Sequence, residues 1–415
     1  MFKSAHILIS LLSKEEKVKC LLIILLAFII SIFEFFSASI IITYAQFLNN
    51  PEYVIPNNAF KKLIGFFSEN NILGLTLLLG TTFILKNLLM AIEAFFQNFS
   101  IQKMSYNFKN KLLRKYSKMD FESFISRNSS YNIQVIGSDT EQSFSAGLHA
   151  LGSIISESFI FITLIVFIIF INPIISLFIF FIIVFFALIT KKYVLPNFYR
   201  WGLLFQQQGI DLTNSLLQFF QGYKEILLNK KQSFFINCYK EVSRERVNTQ
   251  AIISASNSLP RIILELFFII LFLSITLIFI SFNEDQTKII TILSGYLYVG
   301  FKLMPGLNRI ITFFNVFKST TPRINRINQE YNHLVTKNNY HSNKNFSFKK
   351  NITIKDLSFR FNNKRKTTLK NINLVINKGD FIGIVGKTGS GKSTLVNLIL
   401  GLLKPTAGNL LIDNK

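Results

Sequence analysis

The sequence predicts a membrane all-α domain with six transmembrane helices, followed by the incomplete start of an α/β domain. Half of the 415 residues are apolar, only 16% are charged, and the mean hydropathy is +0.39. Water-soluble domains ordinarily carry more charge than this. The apolar residues cluster in long runs before residue 330, whereas the residues after 350 follow the short alternating patterns that are typical of strands.

Six apolar segments are long enough to cross a bilayer, whose hydrocarbon core of ~30 Å needs about 20 helical residues. They are Cys20–Leu48, Ile72–Phe99, Leu151–Ile171, Pro173–Thr190, Ile262–Phe282 and Ile289–Phe317. Glu34, Lys86 and Glu93 interrupt the first two segments. Asn172 and Pro173 separate the third segment from the fourth, which predicts a tight hairpin between these two spans.

Positive charge in the connections predicts the orientation of the spans. The two long connections, after the second and fourth spans, are rich in Lys and Arg, whereas the other connections are short and hold few. By the positive-inside rule, both long connections and both termini are cytoplasmic. Apolar residues recur at helical spacing over Asn98–Met119, so we expect the membrane helices to continue into the cytoplasm.

Changes in composition divide the chain into four regions. Residues 1–19 contain the amphipathic segment Phe2–Lys17, which predicts an interfacial helix on the inner membrane surface. Residues 20–330 hold the six spans and their cytoplasmic connections. Residues 331–350 are rich in Asn, Lys and Ser and predict a polar linker. Residues 351–415 begin the α/β domain.

Charge and cysteine content exclude several other classes of protein. The net charge is +23, but Lys and Arg flank the apolar segments instead of forming one basic face, which argues against a nucleic-acid-binding protein. Cys20 and Cys238 are too few for a disulfide framework or a metal cluster. The first apolar run is too long for a cleavable signal peptide and lacks a small-residue cleavage site.

Short strands and one helix are predicted after residue 350. Apolar residues nearly alternate over Ile352–Phe361, with one slip at Lys355–Asp356. Phe381–Val385 is a short all-apolar strand of the kind that is buried on both faces. The remaining predicted elements are a strand at Leu369–Ile376, a helix at Lys392–Leu403 and a last strand at Asn409–Asp413.

The strongest motif is G-K-T-G-S-G-K-S-T, which fits the phosphate-binding Walker A pattern and lies between a predicted strand and a predicted helix. Glycines let the loop bring backbone N–H groups towards phosphate oxygens, and the helix N-terminus adds its dipole. We expect Lys392 to reach the β- and γ-phosphates and the Ser393 hydroxyl to bind Mg²⁺. A chance glycine-rich turn is the alternative. The predicted site for ATP and Mg²⁺ comprises Gly386, Lys387, Thr388, Gly389, Ser390, Gly391, Lys392, Ser393 and Thr394.

These features resemble the ABC (ATP-binding cassette) exporters. N-L-V-I-N-K-G-D-F-I-G-I-V-G-K-T-G-S-G-K-S-T-L at Asn373–Leu395 and G-L-L-K-P-T-A-G at Gly401–Gly408 are similar to the start of their nucleotide-binding domain. The six-span layout with two long cytoplasmic connections is similar as well. The resemblance implies an ATP-hydrolysing transporter that works as a homodimer. It also implies that Phe361, in L-S-F-R-F, stacks on adenine where a tyrosine is usual; an ordinary strand residue is the alternative.

Three further segments resemble the bacterial flippases of lipid-linked oligosaccharides. They are L-P-R-I-I-L-E at Leu259–Glu265, K-L-M-P-G-L-N-R-I-I at Lys302–Ile311, and the opening I-S-L-L-S-K-E-E-K. This resemblance implies movement of a polyprenyl-pyrophosphate sugar, or a related glycolipid, from the inner to the outer leaflet. It also implies that the chain lies in the bacterial inner (plasma) membrane.

Basic residues in or beside the spans give a candidate substrate site. A charge at the bilayer centre costs ~2.5–3.5 kcal/mol, so such residues suggest a function. Lys302 and Arg309 are seven residues apart and share one helix face. The alternatives are snorkelling to the interface and pairing with acids, as Arg261 could do with Glu265. We hypothesise that the pyrophosphate of the lipid carrier binds Lys86, Arg261, Lys302 and Arg309.

The resemblance also sets expectations for energy coupling and for ATP hydrolysis. It implies that the cytoplasmic turns Asn128–Ile133 and Ile226–Ser233 touch nucleotide-binding domains, with solvated surface as the alternative. The family's glutamine loop, L-S-G-G-Q signature, acid pair and late histidine do not occur in the sequence. Because phosphoryl transfer needs an acid for Mg²⁺ and a group that positions water, we expect a truncated domain that does not hydrolyse ATP alone.

Two other functions remain open from the sequence. One is a non-hydrolysing membrane subunit, or an inactive remnant, that depends on a complete ABC partner. The other is an unrelated channel or receptor with a chance phosphate-binding loop, which the strand–loop–helix context disfavours.

Overall fold

The computed structural model describes residues 2–49, 58–68, 70–171, 173, 188, 190–281, 286–334, 348–361 and 366–413. They belong to two compact units. The first unit comprises Met1–Asn110 and Ile133–Glu330, and the second comprises Lys111–Asn132 and Tyr331–Lys415. Part of the first long connection, Lys111–Asn132, is therefore grouped with the C-terminal part of the chain.

Long helices dominate the part of the chain before residue 334. In chain order the helices are α1 (Phe2–Leu11), α2 (Lys14–Asn49), α3 (Asn58–Phe67), α4 (Asn71–Tyr116), α5 (Phe121–Ile125), α6 (Ser129–Gln134), α7 (Thr140–Gln142), α8 (His149–Ile171), α9 (Leu195–Gln221), α10 (Tyr223–Leu228), α11 (Gln232–Ser281) and α12 (Gln286–His333). Wider π-helical turns at Val135–Asp139 and Ser143–Leu148 join α6, α7 and α8, and another at Thr190–Val194 precedes α9.

Four helical stretches are long and apolar enough to cross a membrane. They are Lys14–Leu48, Asn71–Tyr116, Ser129–Phe170 and Gln232–Ser274, and they contain all or most of the first, second, third and fifth predicted spans. Most of the fourth, Pro173–Thr190, lies outside the described residues, as does Asn172 of the predicted hairpin. The sixth, Ile289–Phe317, lies within α12, which is not among the four. A count of six spans is thus not confirmed.

The membrane helices are much longer than a bilayer requires. α4 has 46 residues and α11 has 50. At 1.5 Å per residue these lengths correspond to about 70 and 75 Å, more than twice the ~30 Å hydrocarbon thickness. Both helices therefore extend well beyond a membrane, as the amphipathic pattern over Asn98–Met119 predicts.

The N-terminal segment contains a break that the predicted helix Phe2–Lys17 lacks. Ser13 N–H donates to Glu16 Oε2 (2.8 Å) and Glu16 N–H donates to Ser13 Oγ (3.3 Å). This reciprocal capping box begins α2 at Lys14 and leaves α1 as a separate helix. Leu8 of α1 is buried against Phe317 and Ile324 of α12, which fixes α1 on the first unit.

The strands of the second unit form a three-stranded antiparallel sheet in the order β2-β1-β3. They are β1 (Asn351–Phe359), β2 (Leu369–Asn377) and β3 (Ala407–Ile412), and one helix, α13 (Lys392–Ile399), packs with them. The register of β1 shifts between Ile354 and Leu357, where Asp356 has a φ of 46°. This bulge accounts for the slip in the alternating pattern at Lys355–Asp356.

The core of the second unit joins the sheet to the part of the first long connection that contains Phe121. Leu357 and Phe359 of β1 pack against Leu398 of α13, and Phe121 of α5 packs against the same cluster. The Asp120 carboxylate caps α5 by accepting a hydrogen bond from Ser123 N–H at 3.1 Å. Phe121 lies before the turn Asn128–Ile133, whose contact with a nucleotide-binding domain stays a prediction.

The structure corrects the prediction for Phe381–Val385, which is irregular rather than a strand. Phe381 is fully exposed and Val385 is 92% exposed. An all-apolar strand is stable between parallel neighbours with both faces covered. Within the described part of the chain no strand pairs with this segment, so local composition alone does not make it a strand.

Two boundaries also differ from the predicted ones. The helix predicted to reach Leu403 ends at Ile399, because the chain turns at Gly401, where φ is 71° and Leu402 N–H donates to Asn397 O at 2.9 Å. This is the six-to-one bond of a Schellman motif. The last strand begins at Ala407, two residues before the predicted start.

We predict that Leu357→Ala destabilises the second unit. Leu357 is fully buried, and truncation of a buried leucine costs about 2–5 kcal/mol through lost burial and the cavity left behind. Amides of β1 and β2 should then exchange hydrogen about 30-fold faster or more, as measured by mass spectrometry on the full chain in detergent. Val375→Ala, at a half-exposed position of β2, is the matched control. Equal exchange in the two variants would contradict the described core.

Candidate functional site

The Gly386–Thr394 motif consists of an irregular loop up to Gly391 and the first three residues of α13. Gly389 and Gly391 take left-handed φ values of 84° and 93°, which L-residues with side chains rarely adopt. A Cβ added at Gly391 would lie 2.8 Å from Leu369 Cδ2, so glycine also permits the close approach of the loop to β2. Gly391 is the N-cap of α13, and the helix begins at Lys392. The helix N-terminus therefore points into the loop, as an anion site requires.

The Lys392 ammonium lies over the loop that precedes it. Its Nζ donates to Gly386 O at 2.7 Å and to Lys387 O at 2.9 Å. Gly386 and Lys387 are exposed, so phosphate oxygens can reach the ammonium and replace these carbonyl acceptors. The exposed Ser393 hydroxyl, in the first turn of α13, is placed to serve as one ligand of a phosphate-bound Mg²⁺. The residues present thus fit the phosphates of a nucleoside triphosphate.

Phe361 lies just beyond the end of β1. Its ring meets the Phe359 ring edge to face, with centroids 4.8 Å apart and an interplanar angle of 84°. Phe361 is half-buried and packs against the core of the second unit. This packing fixes one side of the ring, and the stacking of adenine on Phe361 stays a prediction.

Lys86 is paired with an acid inside the first unit. Its Nζ lies 3.0 Å from Glu34 Oε2, and the two side chains are only 1% and 3% exposed. The ammonium also lies 4.0 Å from the centroid of the Phe83 ring. Glu34 and Lys86 interrupt two apolar spans in the sequence, and the structure shows that these two interruptions meet.

The other basic candidates have separate partners. Arg309 of α12 binds Glu157 of α8 through two hydrogen bonds, Nη2 to Oε2 at 3.0 Å and Nε to Oε1. Arg261 Nε donates to Glu265 Oε1, four residues on, at 2.8 Å. The side chain of Lys302 lies outside what the structure describes. Lys86, Arg261 and Arg309 thus each contact a different glutamate, and their role in substrate binding remains a hypothesis.

A buried charged cluster around Asp139 is absent from the sequence-based predictions. Asp139 accepts hydrogen bonds from Gln206 and Arg326, which lie 67 and 187 residues further along the chain. Local pattern carries no signal for such a cluster, because each member lies on an otherwise ordinary amphipathic helix.

Comparison with known proteins gives a match for the C-terminal segment and, separately, for the fold. Residues 369–415 match the family model described as ABC transporter. The structure is similar to that of a bacterial Atm1-family ABC exporter solved with ATP bound, with a TM-score of 0.71 over 97% of this chain and 68% of that chain, at 13% identity. The chain therefore has the fold of an ABC exporter, and its residues 369–415 are similar to the ABC transporter family.

Curated relatives match shorter stretches. The nisin transport ATP-binding protein of Lactococcus lactis subsp. lactis is 28% identical over 206 residues, which cover 46% of this chain and 32% of that protein. The ergothioneine transport ATP-binding protein of Helicobacter pylori is 50% identical over 64 residues, 15% of this chain and 29% of that protein. The chain thus spans less than a third of the length of these relatives.

We predict that Lys392→Met weakens ATP binding by about 10- to 150-fold, since a hydrogen bond to a charged group contributes about 1.5–3 kcal/mol. A fluorescent ATP analogue titrated against the full chain in detergent measures the change. Lys387→Met is the matched control, because the pattern uses only the backbone at that position. Equal losses in the two variants would show that the Lys392 ammonium does not contact the phosphates.

We predict that Lys86→Met destabilises the chain by about 3–5 kcal/mol, because it removes one partner of the buried ion pair between Lys86 and Glu34. The Tm measured in detergent should fall by about 5 °C or more. The double variant Glu34→Gln/Lys86→Met should recover most of this loss. Lys61→Met, at an exposed position of α3, is the control and should change nothing. A double variant that is less stable than Lys86→Met would argue against the pair.

Proposed function

We propose that this chain takes part in ATP-driven export across the bacterial inner membrane. The observation that supports this best is the combination of a nucleotide-compatible loop at Gly386–Thr394 with the fold of an ABC exporter. In this proposal the loop binds the phosphates of ATP, with Lys392 at the β- and γ-phosphates. Mg²⁺, held in part by Ser393, would neutralise the negative charge that gathers there. Both termini are cytoplasmic in the proposed orientation.

The proposed substrate is a lipid-linked oligosaccharide or a related glycolipid, moved from the inner to the outer leaflet. The resemblance of Leu259–Glu265 and Lys302–Ile311 to oligosaccharide flippases supports it. Arg309 offers a plausible contact, because its side chain is 47% exposed although it is bound to Glu157. A pyrophosphate carries more negative charge than one carboxylate and can compete for the same guanidinium. The Lys86 ammonium is buried against Glu34, so substrate binding by Lys86 would require a different conformation.

The proposed assembly is a homodimer. The second cytoplasmic turn, around α10, exposes a cluster of large apolar side chains: Phe220, Tyr223, Leu227, Leu228 and Phe234. Exposed apolar clusters of this kind are typical of interaction sites. A second copy of the chain, with its nucleotide-binding domain against this turn, is the proposed partner.

A non-hydrolysing membrane subunit that depends on a complete ABC partner is the second candidate function. The exposed apolar segment Phe381–Val385 favours it, because the described residues leave this segment without a paired strand. A partner chain could supply such strands. ATPase activity of the assembled protein that rises with lipid-linked sugar would favour the exporter, whereas association with a separate ABC protein that alone hydrolyses ATP would favour the subunit.

The double variant Arg309→Gln/Glu157→Gln tests the substrate. It removes the cation without leaving an unpaired acid, so folding and ATP-analogue binding should persist while binding of lipid-linked oligosaccharide in nanodiscs falls at least tenfold. Lys109→Gln/Glu141→Gln, which removes an ion pair of 2.9 Å outside the predicted spans, is the matched control. Unchanged oligosaccharide binding in the first variant would reject the proposed site. Loss of ATP-analogue binding in Lys392→Met tests the transporter class separately.

A further inference from the structure

The Asp139 side chain is fully buried and joins three helices of the first unit. It lies at the end of the π-helical turn Val135–Asp139. Its Oδ2 accepts hydrogen bonds from Gln206 Nε2 of α9 and from Arg326 Nη1 of α12, both at 3.1 Å. Arg323, one turn earlier on α12, places its Nε 3.8 Å from Oδ1 of the same carboxylate.

Phe205 extends this contact to a fourth helix. Arg246 of α11 lies over the Phe205 ring, 3.9 Å from its centroid, and Arg246 Nη1 donates to Phe205 O at 3.2 Å. The Arg323 guanidinium lies 5.2 Å from the same ring centroid. Because Phe205 and Gln206 are neighbours on α9, the arginines of α11 and α12 and the carboxylate of Asp139 converge on one short stretch of α9.

The charged groups of this cluster that are named above are three guanidiniums and one carboxylate. The pKa of Arg323 is lowered to about 10, chiefly by burial; Asp139 raises this pKa, and Arg246 and Arg326 lower it. Arg323 therefore stays charged at neutral pH. Loss of one arginine leaves two others near the carboxylate, but loss of the carboxylate removes the counter-charge that the buried Arg323 and the half-buried Arg326 share. Asp139 is thus the member on which the whole cluster depends.

The cluster lies beyond the predicted ends of the spans. Asp139 precedes the third span at Leu151, Gln206 follows the fourth at Thr190, and Arg246 precedes the fifth at Ile262. Arg323 and Arg326 follow the sixth span, which ends at Phe317. All five residues therefore lie on the helix extensions that the charge pattern predicts to be cytoplasmic.

We propose that Asp139, Gln206, Arg246, Arg323 and Arg326 form an electrostatic latch that makes these four helix extensions move as one body. Asp139 is the centre of the latch. None of these helices can move alone without exposing a buried charge to solvent or separating it from its partner. A displacement of α12 is therefore passed to α9, α11 and the helix of Asp139. The latch is a property of the helices and does not depend on which substrate they move.

Spin-label distances test the latch directly. Cys20 and Cys238 are first replaced by Ser, and labels are placed through Gln142→Cys and Gln329→Cys, two exposed positions near Asp139 and Arg326. Electron–electron double resonance in nanodiscs, with labelled chain diluted in unlabelled chain, then reports the distance within one copy. With Asp139 present we expect one narrow distribution; Asp139→Asn should broaden it and lower the Tm by about 5 °C or more.

Two further variants separate the latch from ordinary packing. Asp211→Asn makes the same change at an acid of α9 that contacts Gln207, and it should leave both readouts unchanged. Arg323→Met added to Asp139→Asn removes one uncompensated charge and should narrow the distribution and raise the Tm again. If Asp139→Asn does not fold, recovery of folded protein in the double variant supports the latch. Behaviour of Asp139→Asn like that of Asp211→Asn, or no recovery in the double variant, would overturn it.

Discussion

Apolar surroundings solvate charged side chains and backbone N–H and C=O groups poorly, and the rest of the structure depends on this constraint. Hydrocarbon offers no hydrogen bonds, so the chain crosses it as long helices whose backbone groups are bonded internally. The charged side chains that these helices carry inwards meet opposite charges, as Lys86 does with Glu34 and Arg309 with Glu157. Each such pair joins two helices, so the need to compensate charge also selects which helices are neighbours.

Beyond the predicted spans the same constraint acts through the protein interior. Asp139 lies among arginines from α11 and α12, and its burial ties distant parts of the chain to one point. The Lys392 ammonium presents the opposite case, because it lies over an exposed loop and is held by backbone carbonyls of that loop. Buried cations serve to join helices, whereas an exposed cation beside a helix N-terminus is available to an anion. The position of a basic side chain within the fold thus decides whether it joins helices or is available to bind a ligand.

The second unit shows which features of a fold can be predicted from local sequence and which cannot. The bulge at Asp356 and the sheet that contains β1 follow from the alternation of apolar residues and its single slip. The glycines at 389 and 391 likewise mark the loop, because few other residues adopt its positive φ angles. Phe381–Val385 is different: its composition favours a strand, but a strand needs neighbours, and none pairs with it among the described residues. Pairing is a property of the assembled sheet, not of the segment.

The sequence by itself determined the membrane class, the long helices and the nucleotide-compatible loop, because each depends on residues that are close together in the chain. Apolar run length sets a span, and glycine spacing sets a phosphate loop. Only the tertiary structure decided which charges meet. Arg309 came from the sequence as a candidate for substrate binding, with pairing to an acid left open, and the structure binds it to Glu157, 152 residues away, while Asp139 gave no sequence signal at all. Electrostatic pairing depends on distance in space, which helix packing fixes and one-dimensional pattern does not contain.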